Sequence, residues 1–261
     1  VEPDLRLDCA PWDAVLAVVA ALPWEVGGLL RRLDAPSVLP IAHGRLVQGS
    51  FNGKPLYLLT TGVGPFRAQE AAEAFFDSYN VDAVVIAGVA GGVTPELRPG
   101  AVVVSSSVTL WEPEGDSFTP GEALSTDSHL VQTARETLTE LNKSFITGRT
   151  ASCPELLSSR RWKEELFRRS GAQVVDMESF WIARAVRVKG VPWANIRAVL
   201  DTAKDSLPRY LLGFGEGARV ATAGRLLLHP WDWPKALALA KKDRVARKSL
   251  EQFLSSYLRR F

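Results

Sequence analysis

The sequence predicts an α/β fold, a central mixed sheet flanked by helices with a C-terminal helical extension. Three observations predict it. A continuous apolar run at Ala14–Leu22 reads as a strand buried on both faces, and the mainly apolar runs Asp82–Ala87 and Trp193–Leu200 read as further strands. Segments of helical spacing lie between them, as an alternation of strands and helices requires. The end of the chain differs in charge from the rest: Arg225–Phe261 holds nine basic and three acidic residues, although the whole chain carries a net charge of only +2.

In order along the chain, residues 1–13 read as a loose arm and Ala14–Leu22 as the first strand. Pro23-Trp24-Glu25 then opens a helix to about Leu33, since proline suits a first turn and a glutamate suits the positive helix end. That capping role explains Glu25 without any chemistry. Gly44–Phe51 and Lys54–Thr61 form a hairpin at Asn52-Gly53, the dipeptide that most readily takes the positive φ of a tight turn. Thr61-Gly62-Val63-Gly64-Pro65 turns into a helix over Phe66–Tyr79. The strand Asp82–Ala87 runs into Gly88-Val89-Ala90-Gly91-Gly92, where small residues let a ligand approach the backbone, or simply turn the chain. Neither glycine cluster has the G-x-G-x-x-G spacing of a dinucleotide site, so no nicotinamide or flavin is expected.

After the Pro99-Gly100 turn, Ala101–Val108 is a strand and residues 111–125 read as a loop. Ser125-Thr126-Asp127 starts a helix to about Asn142, Ser144–Thr150 is a strand, and 151–159 is a loop. Arg160–Arg169 is a charged surface helix, Val174-Val175 a short strand, and Met177–Val188 a helix that precedes the last strand. No linker interrupts this body, so residues 1–229 are expected to form one domain, with a basic amphipathic helix over 230–261.

The chain has 261 residues, long enough to bury roughly 70–75% of its unfolded surface. Its two cysteines, Cys9 and Cys153, and three histidines have no ligand spacing, which fits a reducing compartment and no metal site. The start of the chain lacks the pattern of a signal peptide, and the longest apolar run is about half the roughly 20 residues of a spanning helix. A cytoplasmic protein is expected, with no nucleic acid as partner.

Two carboxylates carry the functional reading. Val174-Val175-Asp176-Met177-Glu178 places Glu178 where a strand turns into a helix, and Ile196-Arg197-Ala198-Val199-Leu200-Asp201 ends the last strand in Asp201. If the intervening helix returns the chain to a parallel neighbouring strand, both lie at one sheet edge, where ligands bind open α/β sheets. One could then grip a substrate and the other donate a proton. Taken singly, Met177 reads as core and Glu178 as a first-turn acid.

Five stretches in order resemble the purine/uridine phosphorylase and nucleosidase superfamily, in particular the branch containing methylthioadenosine/S-adenosylhomocysteine nucleosidase. They are Ala21–Glu25, Thr61–Gly64, Ala87–Gly92, Val175–Glu178 and Ile196–Asp201. The resemblance implies a phosphorylase/hydrolase-like fold and cleavage of the N-glycosidic bond of an adenosyl-type nucleoside. It also implies roles. Asp201 would protonate a purine nitrogen and Glu25 would deprotonate a water. Glu178 would accept hydrogen bonds from ribose hydroxyls, with Met177 beneath the sugar and Val89, Ala90 and Gly91 lining the site. Val89 and Leu200 stand where the family carries hydroxyls, which makes the pocket greasier and leaves a nucleoside-binding protein without turnover as an alternative. The phosphorolytic members' G-D-P-x-R start is absent, which favours water over phosphate as nucleophile, with Arg67 and Arg31 kept as candidates for an anion site. No cofactor is implied, phosphate is the alternative co-substrate, and a homodimer is the family expectation. A futalosine or methylthioadenosine nucleosidase is the alternative within the class.

The tail beyond Asp205 is similar instead to the hopanoid-associated phosphorylase branch, which implies a lipid-linked adenosyl substrate. Ala236, Leu239, Ala240, Ala246, Leu250, Phe253, Leu254 and Tyr257 recur at helical spacing beside a basic cluster. This helix either packs on the body or lies at the inner membrane face as a peripheral contact.

Overall fold

β1 (Leu16–Ala20) pairs in parallel along both edges, with β4 (Lys54–Thr60) and β5 (Ala83–Gly92), and is buried at every residue because Leu16, Val18 and Ala20 enter the core cluster on one face and Ala17 and Val19 that on the other. The computed structural model describes residues 14–206 and 233–261. Beyond β4 the sheet continues antiparallel through β3 (Arg45–Phe51) to the edge strand β2 (Asp34–Leu39). The β3–β4 turn is the expected one, with Asn52 at φ 53° and Gly53 at φ 80°.

On the other side of β5 the sheet closes. β10 (Trp193–Asp201) pairs in parallel with β5 and antiparallel with β6 (Val102–Glu114). β6 pairs with β8 (Phe145–Ser152), β8 with β9 (Val174–Asp176), and β9 with the end of β5. Five strands thus form a ring in which β5 is the shared member. Along one edge of β5, residues 83–86 pair with β1 and residues 91–92 with β9, which leaves a gap at residues 87–90.

Helices α2 (Pro65–Ser78) and α5 (Ser179–Val188) cover one face of the sheet, and α3 (Ser128–Glu140) and α6 (Trp233–Tyr257) cover the other. Asp127 caps α3 by accepting the Leu130 N–H, and Ser159 caps α4 (Arg160–Ser170) through the Trp162 N–H.

Four expectations are corrected. The helix over residues 23–33 shrinks to α1 (Gly27–Leu30). Two glycines disfavour a longer helix, and the Glu251 side chain of α6 lies against Gly28, 1.9 Å from where a Cβ would stand. The glycine run 88–92 is strand rather than loop, because β10 and β9 supply ladder partners. Residues 111–125 form a hairpin of β6 with β7 (Ser117–Ser125), turned at Gly115 and anchored by buried Trp111, Phe118 and Leu124. Finally, β9 and β10 are not parallel neighbours: β5 lies between them, antiparallel to β9 and parallel to β10. The edge strand β2 was not anticipated. It is mostly exposed, contains Pro36, and lacks the apolar alternation of a strand.

The distal half of α6 belongs to the core. Ala246, Leu250, Phe253, Leu254 and Tyr257 are buried in the same cluster as β1, β4 and β5, and the Tyr257 hydroxyl donates to the Leu130 carbonyl at 2.9 Å. Of the rest of the predicted apolar face, Leu239 is half-buried and Ala240 exposed. The expected arm at 1–13 and the proposed domain boundary at 229 lie outside the described residues. Among the described residues, no helix is long and apolar enough to cross a membrane.

Candidate active site

The gap in the β5 ladder is where the predicted residues converge. The Val89 N–H, left without a strand partner there, donates to Glu25 Oε1 at 2.8 Å, and the Leu22 N–H donates to Glu25 Oε2 at 2.8 Å. Glu25 is therefore not a helix-capping acid: α1 begins only after Val26 and has no acidic residue in its first turn. Burial pushes its carboxyl up, while the two N–H donors and the Arg197 guanidinium pull it down.

Glu178 arrives from the opposite side on the segment after β9. It occupies the N-cap position of α5 but makes no side-chain capping bond. Its Oε1 accepts instead from the Gly64 N–H at 2.9 Å, at the N-terminus of α2. The capping work at α5 falls to Asp176, which accepts the Ser179 N–H at 3.1 Å. Burial first, and then the nearby Asp176 charge, push the Glu178 carboxyl up to about 7. Near neutral pH it is therefore only partly ionised. Met177 and Val89 are half-buried beside it, whereas Ala90 is committed to a buried cluster with Leu97, Val103, Val174 and Val199.

The Arg197 guanidinium lies near enough to both glutamates to lower their carboxyls, and its importance was not seen in the sequence. It lies opposite Gly88 on β10, fully buried, and a Cβ on Gly88 would come within 2.2 Å of its guanidinium and 2.8 Å of Glu25 Oε1. Its Nε lies 2.8 Å from Asp176 Oδ2 in a buried ion pair and donates to Ser179 Oγ at 3.1 Å. Asp176 also accepts from Ser152 at 3.0 Å. The network runs on through Asn195, whose amide donates to Ser105 at 2.9 Å and Thr150 at 3.2 Å. A lone arginine in the middle of the apolar run Ile196–Leu200 was the available signal, because a buried charge must be paired.

Asp201 lies farther along the same strand pair. It sits opposite Gly91 beyond an irregularity in the β10–β5 register, and a Cβ on Gly91 would be 3.4 Å from its Oδ1. Gly91 is two strand positions past Val89, roughly 6–7 Å. The Asp201 carboxylate is ion-paired with Lys163 of α4. Burial pushes its carboxyl up, against the pull of that ammonium. Arg67 packs its stem against Gly62 in the turn leading into α2. A separate cavity of about 920 Å³ opens between the Thr94–Ala101 segment, the start of β8 and α6, and none of the predicted site residues lines it. Among the described residues, no group of three or more His, Cys, Asp or Glu could hold a metal ion.

Comparison with known proteins places the chain in a family and supports its fold. The family model described as the phosphorylase superfamily matches residues 15–223. The 5'-methylthioadenosine/S-adenosylhomocysteine nucleosidase of Bacillus subtilis is 29% identical over 198 residues, covering 72% of this chain and 86% of the relative. That of Shewanella halifaxensis is 26% identical over 207 residues, covering 74% and 88%. Among solved structures, the corresponding nucleosidase of Neisseria meningitidis, in complex with methylthio-immucillin-A, superimposes with a TM-score of 0.76 at 18% identity, covering 95% of this chain and 100% of that one. Futalosine hydrolase of Helicobacter pylori gives 0.74 at 18% identity, covering 95% and 98%. At these identities the two structures speak for the fold.

Proposed function

This chain belongs to the phosphorylase superfamily, and we propose that it cleaves the N-glycosidic bond of an adenosyl-type nucleoside, with water as nucleophile. The supporting observation is the convergence of Glu25, Glu178 and Arg197 in the gap of the β5 ladder, with Asp201 two strand positions away.

Breaking the bond leaves positive charge on the sugar and negative charge on the base. Asp201 is assigned to the base, where a proton must arrive. Glu178 is assigned to the ribose hydroxyls, which donate best to its ionised form. Glu25 is assigned to the water. A carboxyl raised by burial is a stronger proton acceptor than a free one, and its two backbone bonds fix its direction. Met177, Val89 and Gly91 border the sugar and base, Ala90 through its backbone. The reaction so written uses water and side chains and calls for no cofactor.

The test is base release from methylthioadenosine, S-adenosylhomocysteine, adenosine and futalosine, each with and without phosphate. Release independent of phosphate, with free sugar as co-product, supports the reading. Phosphate dependence with sugar 1-phosphate as product replaces water by phosphate and directs attention to Arg67. Saturable binding without release leaves a nucleoside-binding protein.

Two finer readings are also proposed. A homodimer is one, tested by sedimentation equilibrium. The other is a lipid-linked substrate reached by peripheral membrane contact through the proximal half of α6. Leu237 and Val245 are 74% and 45% exposed there, beside exposed Lys241, Arg244 and Lys248. Basic residues near an anionic surface are attracted by about 1 kcal/mol each. Because residues 246–258 complete the core, charge reversal at 241, 244 and 248 is the cleaner test than truncation. The wild type should co-sediment with anionic vesicles at low salt and the reversed variant should not. Failure of the wild type to bind refutes this reading alone.

A further inference from the structure

Lys163 is the most unexpected group near the site. It lies on a helix that reads as a solvated surface element, Arg160-Arg161-Trp162-Lys163-Glu164-Glu165, yet it is 1% exposed. Its ammonium has three acceptors. One is the Asp201 carboxylate. The others are the carbonyl oxygens of Thr202 at 3.0 Å and Asp205 at 3.2 Å. The 202–205 turn that presents those carbonyls is itself held: Asp205 Oδ2 accepts from the Thr202 N–H at 2.8 Å, from the Thr202 hydroxyl at 2.9 Å and from Lys242 of α6 at 2.7 Å. Two elements distant in sequence thus build one cradle for a buried cation beside the proposed acid.

This arrangement poses a chemical problem. Burial raises the Asp201 carboxyl while the ammonium beside it favours the ionised form, and in that ionised, paired form the carboxylate has no proton of its own to give to a base nitrogen, which is a lone-pair acceptor. We propose that Lys163 is a positioning residue that stores the proton for this step and passes it through Asp201 to the departing base. The proposal rests on the nucleosidase reading above. Atoms and charges balance. The electron pair of the C1′–N bond goes to the base. The ammonium gives one proton to Asp201, which gives one to a ring nitrogen. Water loses a proton to Glu25 and bonds to C1′. Solvent then takes the proton from Glu25 and restores one to the lysine, so the net change is one water consumed. The titratable groups facing the pair are Asp205, from the turn after β10, and Lys242, from α6.

Substitution by arginine separates storage from mere charge. Arginine keeps the cation, so it holds Asp201 as a carboxylate, but it does not give up a proton at accessible pH. Lys163→Arg should lower base release by at least about 100-fold across the pH range, the usual range for losing a general acid. In Lys163→Met the cation is gone and Asp201 must hold the proton itself. That variant should keep activity at acid pH and lose it at lower pH than the wild type does. A purely structural lysine would change the rate uniformly without moving the profile. Near-wild-type release by Lys163→Arg, or an unmoved profile in Lys163→Met, overturns the proposal. Should the methionine variant not fold, the arginine variant still decides.

A readout independent of turnover is the ¹³C carboxyl signal of Asp201, assigned with Asp201→Asn. It should titrate at higher pH in Lys163→Met than in the wild type, and an identical titration overturns the proposal. If the wild type releases base from no nucleoside, the functional reading falls while the carboxyl titration still decides whether Lys163 sets the charge of Asp201.

Discussion

Replacing Glu178 by glutamine should stabilise the protein, and only at neutral to alkaline pH. The folded-state carboxyl is raised from 4.5 to about 7, chiefly by burial. A raised carboxyl favours folding in its protonated form; that contribution is whole below pH 4.5 and is lost as pH rises toward 7. Each pH unit of that window is worth about 1.4 kcal/mol, so the ionised side chain costs about 3 kcal/mol above pH 8. Glutamine cannot ionise, and its carbonyl oxygen can still accept the Gly64 N–H. Urea unfolding of the ligand-free protein should show Glu178→Gln more stable by about 3 kcal/mol at pH 9 and by less than about 1 kcal/mol at pH 5. The same variant should lose preference for ribo- over 2′-deoxynucleosides, an instance of stability given up for function. A stability difference that does not change between pH 5 and pH 9 would refute the assignment of a buried, destabilised carboxyl.

Asp201→Asn should lower base release by at least about 100-fold while nucleoside binding persists, which equilibrium dialysis at low temperature can follow. Arg197→Met leaves Asp176 buried without its cation and should cost about 3–5 kcal/mol in urea unfolding. Gly88→Ala forces Arg197 and Glu25 apart, because its methyl would lie 2.2 Å and 2.8 Å from them, whereas Gly91→Ala meets Asp201 only at 3.4 Å. The first should impair base release far more than the second, and equal effects would place the reacting centre elsewhere. Phe253→Ala removes a ring buried in the main core and should destabilise by about 3–5 kcal/mol, although it lies far along the chain from β1.

Legibility followed the physics of each segment. β1, β5 and β10 were readable because strands covered on both faces are mostly apolar. The hairpin at Asn52-Gly53 was readable because its backbone demands those residues. The β6–β7 hairpin was misread because an edge strand tolerates proline, glycine and acids that otherwise mark loops. Glu178 and Asp201 stood out as carboxylates after strands, whereas Glu25 read as a capping acid and acquired a chemical role only through the family resemblance. Arg197 was visible in the sequence as an isolated charge in an apolar run, but its partner Asp176 lies 21 positions earlier and pairing across that distance has no local signature. Lys163 left no signal at all. Its neighbours are charged, and only the tertiary position of the 202–205 turn makes it a buried residue.

The ring also bears on how this protein avoids sticking to itself. Ten strands in one open sheet would leave long unpaired rims, each a template onto which another chain could add a strand. Closing five of them through β5 removes most of that rim. What remains among the described residues, besides residues 145–149 of β8, is the outer side of β2 and of β7. Both are interrupted: Pro36 sits in β2 where its register with β3 slips between Asp34 and Ser37. Pro120 and Gly121 sit in β7 where the pairing with β6 slips between Thr109 and Trp111. A proline lacks the donor that strand addition needs, and a slipped register bends the rim out of line. Replacing both prolines by threonine should therefore leave the monomer's own pairing intact and raise its tendency to aggregate on storage, a liability unrelated to the chemistry of the site.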